Sequence, residues 1–572
     1  LVWVLFSRGE QKLRKHFYII AGIFLGVSFF LGTSPRPIRF DSWQEELAYY
    51  VRHSQYDKAE AIYWKVIGQE PLNIDSHVAF IRNHYAIPPT VVRNDSMLHR
   101  DDMPIIEHYT RLAANTSPDT SDIGSYGLGL IGSLNSNYEE AFNHLMAVRN
   151  GELKYLNNSL GFIYLYYYND LPRAEQLFNR EIELNGNIEG AYSNLIALKL
   201  YVNDIASLRE LLNDPVAGQF FPQKLKRQLY LQHANLYGYF KVILFNYRGL
   251  EWISLLGALL IVLIYIVYLR KIDIYEPERW RFVVVCFLMG VFFSEFTFLL
   301  YDISSFFLDF DLNGRILNDF LYCILGIGLI EEMMKLIPLL ILVRYSRQVN
   351  EPIDFIVYGS VSALGFAFAE NLIYFQSYGP EVFTARALTA VVFHMFLTSL
   401  VAYGFIIRRY RGRGRFAVVR YFVLSMLIHG LYDFWLVNDS VNLFRIVSIL
   451  LYILCLVFYN TMIRNSLNYS QFFDSRIVLN HKKLQGYLLY SLTGVFVLQY
   501  AALVLRFGLN EGSVLFKNTI YSGAYLILFV SMGLGAIRLK QGEWGGLPRL
   551  RLKAGRSGGC ESVDGGGIHP SG

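Results

Sequence analysis

The sequence predicts an all-α protein: a polytopic helical membrane bundle that carries a helical-repeat domain. Three observations predict it. From about Leu250 the chain is a series of apolar runs, each about 20 residues, the length a helix needs to cross a bilayer at about 1.5 Å per residue. Before that, from Thr33 to Arg248, it is polar and helical in pattern. Over 572 residues, 53% are hydrophobic and 17% charged, with mean hydropathy +0.30. An average soluble domain carries roughly 25% charge.

Residues 1–32 read as an N-terminal membrane anchor. The basic stretch RGEQKLRKH precedes the apolar run Phe17 to Gly32. A signal peptide has the same shape, but no small-x-small cleavage site stands before TSPRP, which favours an uncleaved anchor. The positive-inside rule then places the N-terminus in the cytoplasm and residues 33–248 outside. In that domain LGFIYLYYYNDLPRAEQLFNREIELNGNIEGAYSNL resembles the tetratricopeptide (TPR) pattern at Leu160, Gly161, Tyr164, Ala174, Phe178, Ala191 and Tyr192. A weaker copy begins at Leu128–Gly129 and includes Ala141. A period near 34 residues marks stacked helix pairs. The expectation is an extracytoplasmic α-solenoid with a groove for a peptide or protein partner.

Residues 249–540 read as the multi-pass membrane domain, with apolar runs at about 250–269, 282–301, 320–343, 354–375, 387–407, 416–437, 444–463, 487–505 and 519–537. With the anchor they make ten expected spans. The loops RKIDIYEPERWR, RYSRQVNEP, RRYRGRGR, RNSLNYSQFFDSR and RLKQGEW fall on alternate sides and are all basic, so both termini are expected in the cytoplasm. Residues 541–572 are Gly-rich and read as a disordered tail. The net charge of +5 is small and sits beside apolar runs, which argues for a lipid bilayer and against nucleic acid as partner. Cys286, Cys323 and Cys455 lie in apolar runs and Cys560 in the tail, a spacing that fits neither a zinc ribbon nor a disulfide framework.

Several charges stand where lipid-facing residues should be. The run GLIEEMMKLIP holds Glu331, Glu332 and Lys335. A charge at the bilayer centre costs about 2.5–3.5 kcal/mol on insertion scales, so these must face other helices or water. Lys335 follows the two glutamates by one helical turn and can neutralise one of them. Pro338 is expected to kink this helix. The next three runs hold Glu370 with Asn371 and Tyr374, Arg386 with His394, and His429 with Asp433 four residues on. Arg386 stands at the membrane boundary, where snorkelling explains it as well as a catalytic role does. Followed through the alternating topology, all the acids and imidazoles fall between the bilayer centre and its outer face, within about 15 Å of depth. A pocket of carboxylates and histidines can activate water and hold an oxyanion, as peptide-bond hydrolysis requires. Glu331 or Glu332 with His394 and His429 could also bind zinc, with Asp433 beside them. The same residues could instead relay protons in a transporter or channel.

The motifs EEMMK, ENLIY, RALTAVVFH and HGLYD resemble, in order, those of the PrsW family of intramembrane proteases, within the CAAX-processing and bacteriocin-processing protease superfamily. The resemblance runs from about Leu250 to Trp435. It implies a protease of a bacterial cytoplasmic membrane that cuts membrane-anchored proteins such as anti-sigma factors near the extracytoplasmic side. It implies that Glu331 and His394 activate the attacking water, that His429 and Asp433 stabilise the oxyanion or bind metal, and that Glu332 and Lys335 tune the pair, with Glu370 among the site residues. A metal such as zinc, held by Glu331, His394 and His429, or a glutamate-activated water without metal are both open. Asp433 stands where the superfamily often has Asn, which favours a ligand or orienting role.

Overall fold

The computed structural model describes residues 40–545, apart from 41–42, 53–54, 87–89, 94–95, 100, 246, 413, 536 and 538. The expected anchor and the expected disordered tail lie outside the described residues, save for 541–545. The chain divides into two compact units. Of the described residues, one unit holds Leu250–Leu503 and those from Leu515 on; the other holds those from 40 to Gly249 with Val504–Val514.

The unit preceding Gly249 is built of short helices in antiparallel succession, among them Pro118–Leu134, Tyr138–Met146, Leu156–Ile163, Leu171–Glu183, Ile188–Tyr201 and Ile205–Asn213. Three of them start on the same device. Asp170, Asn187 and Asp204 each accept a hydrogen bond from the backbone N–H three residues on, satisfying a donor that a helix start leaves unpaired. Two of these caps, Asp170 and Asp204, are 34 residues apart. Ala141, Ala174, Phe178 and Ala191 are completely buried. At Gly161 a Cβ would lie 2.7 Å from the Phe178 ring, so this helix contact needs glycine. The all-α expectation misses one element. Thr90–Arg93 pairs antiparallel with Ser96–His99 in a small hairpin, and β-branched TVVR ahead of Asn-Asp is its local signal.

Among the described residues seven helices are long and apolar enough to cross a membrane: Trp252–Ile272, Trp280–Leu308, Pro352–Leu388, Ala390–Tyr410, Ala417–Val437, Ile446–Asn468 and His481–Leu509. This corrects the nine spans expected from about residue 250 onward; the tenth, the anchor, lies outside the described residues. The run at 320–343 forms helix, but as Ile316–Leu321, a π-helical stretch Tyr322–Gly328, and Leu329–Tyr345, whose charges and 17-residue length keep it out of that set. The last run gives the shorter apolar helix Ser522–Gly535. The helix continues through Pro338, and its irregular turn precedes the glutamates instead. Cys286, Cys323 and Cys455 are buried and unpaired, packing as small apolar residues.

The basic loops gather at one end of the unit that holds Leu250–Leu503. Asn350 Nδ2 donates to Glu276 Oε2 (2.9 Å), Tyr410 Oη to the Asn350 carbonyl (2.8 Å), Arg411 Nη1 to Tyr469 Oη (2.7 Å), and the Lys540 N–H to Asn468 Oδ1 (2.8 Å). At the opposite end Asn438 Nδ2 donates to Asp319 Oδ2 (2.8 Å), and the Thr384 N–H to Gln499 Oε1 (3.2 Å). The helices therefore run alternately up and down, as the loop charges imply.

Candidate active site

Four helices bring the intramembrane ionisable residues together: Leu329–Tyr345, Pro352–Tyr378, Ala390–Tyr410 and Ala417–Val437. Two glycines set the closest approach. A Cβ on Gly328 would lie 2.6 Å from the Met426 carbonyl oxygen, and one on Gly430 would lie 2.5 Å from Ile324 Cα. Small residues let helix backbones meet. Glu332, one turn after Gly328, thereby reaches His429, the neighbour of Gly430.

Lys335 is wholly buried at the centre. Its ammonium donates to Glu331 Oε2 (2.9 Å), to Glu332 Oε1 (3.0 Å) and to His394 Nδ1 (2.8 Å), which uses all three of its hydrogens. It also lies 4.4 Å from the centre of the Phe366 ring. Because an ammonium only donates, His394 Nδ1 is the acceptor and its proton sits on Nε2, directed at Glu370 Oε2 (2.9 Å). His429 places Nδ1 on Glu332 Oε1 (3.0 Å), while its Nε2 lies 3.3 Å from Asp433 Oδ2 and 3.7 Å from Glu331 Oε2. The two imidazole centres are 5.6 Å apart.

All the site residues named from sequence thus belong to one network, but in different positions. Glu332 is fully buried, and its second oxygen accepts from Ser425 Oγ (3.1 Å). Glu331, Asp433 and Glu370 keep 12%, 22% and 23% of their side chains accessible. Glu332 is therefore closed off from solvent, while the other three keep accessible surface.

Sequence reasoning left one residue between two readings and missed two others. Arg386 does not snorkel. Its Nη2 donates to Glu370 Oε2 (2.6 Å) and its Nε to Asn371 Oδ1 (2.7 Å), and its guanidinium lies 4.1 Å from the Tyr374 ring centre. The forked, planar cation suits this three-way contact. Tyr301 donates to Glu331 Oε1 (2.9 Å) and Ser425 to Glu332, and neither carried a sequence signal, because uncharged hydroxyls are ordinary in apolar helices.

The donor set suits a metal ion. Glu331, His394 and His429 are buried and each offers one ligand atom within 4.8 Å of the others. Two imidazoles and a carboxylate with a fourth position open is a known catalytic zinc set. Each histidine turns its other nitrogen to a carboxylate, Glu370 for His394 and Glu332 for His429, and such carboxylates fix the orientation of metal-bound imidazoles. Counted as ionised beside neutral imidazoles, Glu331, Glu332, Glu370 and Asp433 outweigh Lys335 and Arg386 by the charge of one divalent cation. Lys335 holds His394 Nδ1 here, so ligation by that atom requires the ammonium to let go.

Comparison with known proteins agrees with this geometry. Residues 278–462, which contain every residue of the network, match the model of the PrsW family intramembrane metalloproteases. "Protease PrsW" of Geobacillus kaustophilus is 32% identical over 172 residues, covering 29% of this chain and 70% of the relative. The protein of the same name from Bacillus subtilis is 35% identical over 125 residues, 20% of this chain and 55% of the relative. That from Clostridioides difficile is 26% identical over 191 residues, 32% and 78%. No solved structure matches significantly. With a relative at this identity covered over more than two thirds of its length, and with the motif residues meeting in one buried cluster, the chain belongs to the PrsW family of intramembrane proteases.

Proposed function

We propose that this protease is an endopeptidase that cuts membrane-anchored proteins, with regulators such as anti-sigma factors as the substrate class, near the extracytoplasmic side of the bilayer. The observation that carries the chemistry is the approach of Glu331, His394 and His429 to within 4.8 Å of one another. Glu331 takes a proton from water as its oxygen attacks the scissile carbonyl carbon. It returns that proton to the amide nitrogen as the C–N bond breaks. The 2.9 Å hydrogen bond from Tyr301 keeps its carboxylate aimed. His429, held by Glu332 and Asp433, faces the developing oxyanion. Glu370, fixed by Arg386, orients His394. Lys335 balances charge that would otherwise be buried unpaired. A metal such as zinc, held by Glu331, His394 and His429, would polarise the carbonyl and acidify the water.

The side of cleavage follows from the loops. The basic ends point to the cytoplasm under the positive-inside rule, which leaves the acid cluster toward the other face. In the same frame residues 33–248 form an extracytoplasmic, tetratricopeptide-like domain that recruits substrate or another protein partner, residues 249–540 form the protease domain, and the host is a bacterial cytoplasmic membrane.

The test is cleavage of a membrane-tethered substrate by protein reconstituted in liposomes, parent against Glu331→Gln, beside metal analysis of both. Loss of the base is expected to slow cleavage about 10²–10⁴-fold with insertion unchanged. Equal cleavage by Glu331→Gln would refute the assignment. Proton flux through the parent without proteolysis would favour the relay.

A further inference from the structure

A second acidic cluster lies in the membrane unit, at the end where the basic loops gather. Asp273 ends the helix Trp252–Ile272, and Glu278 stands in the loop after it. Glu351 and Asp354 open the helix Pro352–Tyr378 as a capping box, in which each side chain accepts from the other's backbone N–H. Asp273 is 1% exposed, Glu278 5%, Glu351 0% and Asp354 1%. Asp273, Glu351 and Asp354 each offer one carboxylate oxygen within 4.8 Å of the other two.

No ion-paired cation neutralises the cluster; the charge of Arg270 reaches Asp273 only from beyond ion-pair distance. Among the described residues no lysine, arginine or histidine forms an ion pair with any of the four. Arg270 gives a hydrogen bond to the backbone carbonyl of Glu278, and its guanidinium lies 4.3 Å from the Trp280 ring centre. Hydrogen bonds account for part of the cluster: Asp273 Oδ2 accepts from the Glu278 N–H (2.9 Å), Asp354 Oδ2 from the N–H groups of Asn350 (2.8 Å) and Glu351 (2.7 Å), and Glu351 Oε2 from Ser470 Oγ. Tyr358 donates to Glu278, and Glu278 shares a side-chain hydrogen bond with Asp354. One shared proton can satisfy that last pair. Two oxygens remain outside it. Asp273 Oδ1 and Glu351 Oε1 are buried and have no hydrogen-bond partner. A buried acceptor left unsatisfied costs about 1–3 kcal/mol, more when charged, so two in one buried cluster point to a ligand that satisfies both.

We propose that Asp273, Glu351 and Asp354 form a calcium-binding site. All the donors are oxygens, with no thiolate or imidazole among them, which selects a hard cation. Calcium takes six to eight oxygens at about 2.3–2.6 Å in irregular shells, so oxygens that lie within 4.8 Å of one another can share one such ion. Magnesium demands a tighter octahedron at about 2.0–2.1 Å. The ion ties the end of one span to the start of the helix that carries Glu370, so it braces the support of His394 from a distance.

The test uses the full chain in detergent, stripped with chelator. Calcium chloride is expected to raise its melting temperature saturably at constant ionic strength, and terbium, excited through tyrosine, to bind and be displaced by calcium. Asp273→Asn and Glu351→Gln keep shape and remove charge, so both should fold, with calcium affinity reduced at least 10-fold. Glu331→Gln, in the other cluster, should keep the whole response. Absence of any calcium effect on the parent, an unchanged response in both neutral variants, or loss of the response in Glu331→Gln would each overturn the site.

Discussion

Replacing Lys335 by methionine tests the centre of the network. The change keeps the length of the side chain and removes three hydrogen bonds, of 2.8, 2.9 and 3.0 Å, from a wholly buried ammonium. Glu331 and Glu332 are left facing each other without a cation. Breaking a buried ion pair by deleting one partner costs about 3–5 kcal/mol. At roughly 2–4 °C per kcal/mol for a domain of a few hundred residues, the expected fall in Tm is about 10 °C. Cys286, Cys323 and Cys455 are buried and free in the same unit, so a thiol-reactive dye reports its unfolding in detergent. The double variant Lys335→Met/Glu332→Gln removes the orphaned charge along with its partner. It should melt higher than the sum of the single changes requires, with a coupling of about 1–3 kcal/mol. Additive single and double variants, within about 0.5 kcal/mol, would refute the account of Lys335 as the internal countercharge.

Further outcomes follow from other contacts. Arg386→Lys loses the fork that spans Glu370 and Asn371. Cleavage should drop about 10–100-fold, as for residues that orient metal ligands, with Tm little changed and the pH profile of cleavage displaced; an unchanged profile would make Arg386 merely structural. Gly430→Ala places a methyl 2.5 Å from Ile324 Cα, which should force the Glu332 and His429 helices apart, cost about 1–3 kcal/mol and lower cleavage; full activity would refute the close-packed geometry. In the unit preceding Gly249, burial, with His77 and Arg111 nearby, pushes the His108 imidazole from 6.5 down to about 4. The unfolded chain then binds a proton that the folded unit refuses, so stability is full above pH about 6.5 and is lost as the pH falls toward 4. Hydrogen-exchange protection of Ile74–Ala86 and Met103–Ala113, taken relative to the intrinsic rate at each pH, should fall over that range, and His108→Phe should flatten the dependence.

The sequence by itself determined the helical character of both parts of the chain, the 34-residue period, the alternation of the basic loops, and the identity of the charged residues that had to leave the lipid. Those properties are local. They follow from residue hydropathy, helical spacing and the cost of burying a charge, all of which can be counted along one strand of sequence. Partnership among the charges was decided only when the helices packed. Spacing showed that Lys335 reaches either glutamate, but not that its third hydrogen goes to His394, because that contact joins residues 59 positions apart. Spacing put Arg386 at a membrane boundary, and packing turned it inward to Glu370. The acids at Asp273, Glu351 and Asp354 look like ordinary loop and helix-start residues in sequence. Their meeting in one buried cluster depends on which loops share an end of the bundle, and a pairwise distance of that kind is fixed by tertiary packing alone.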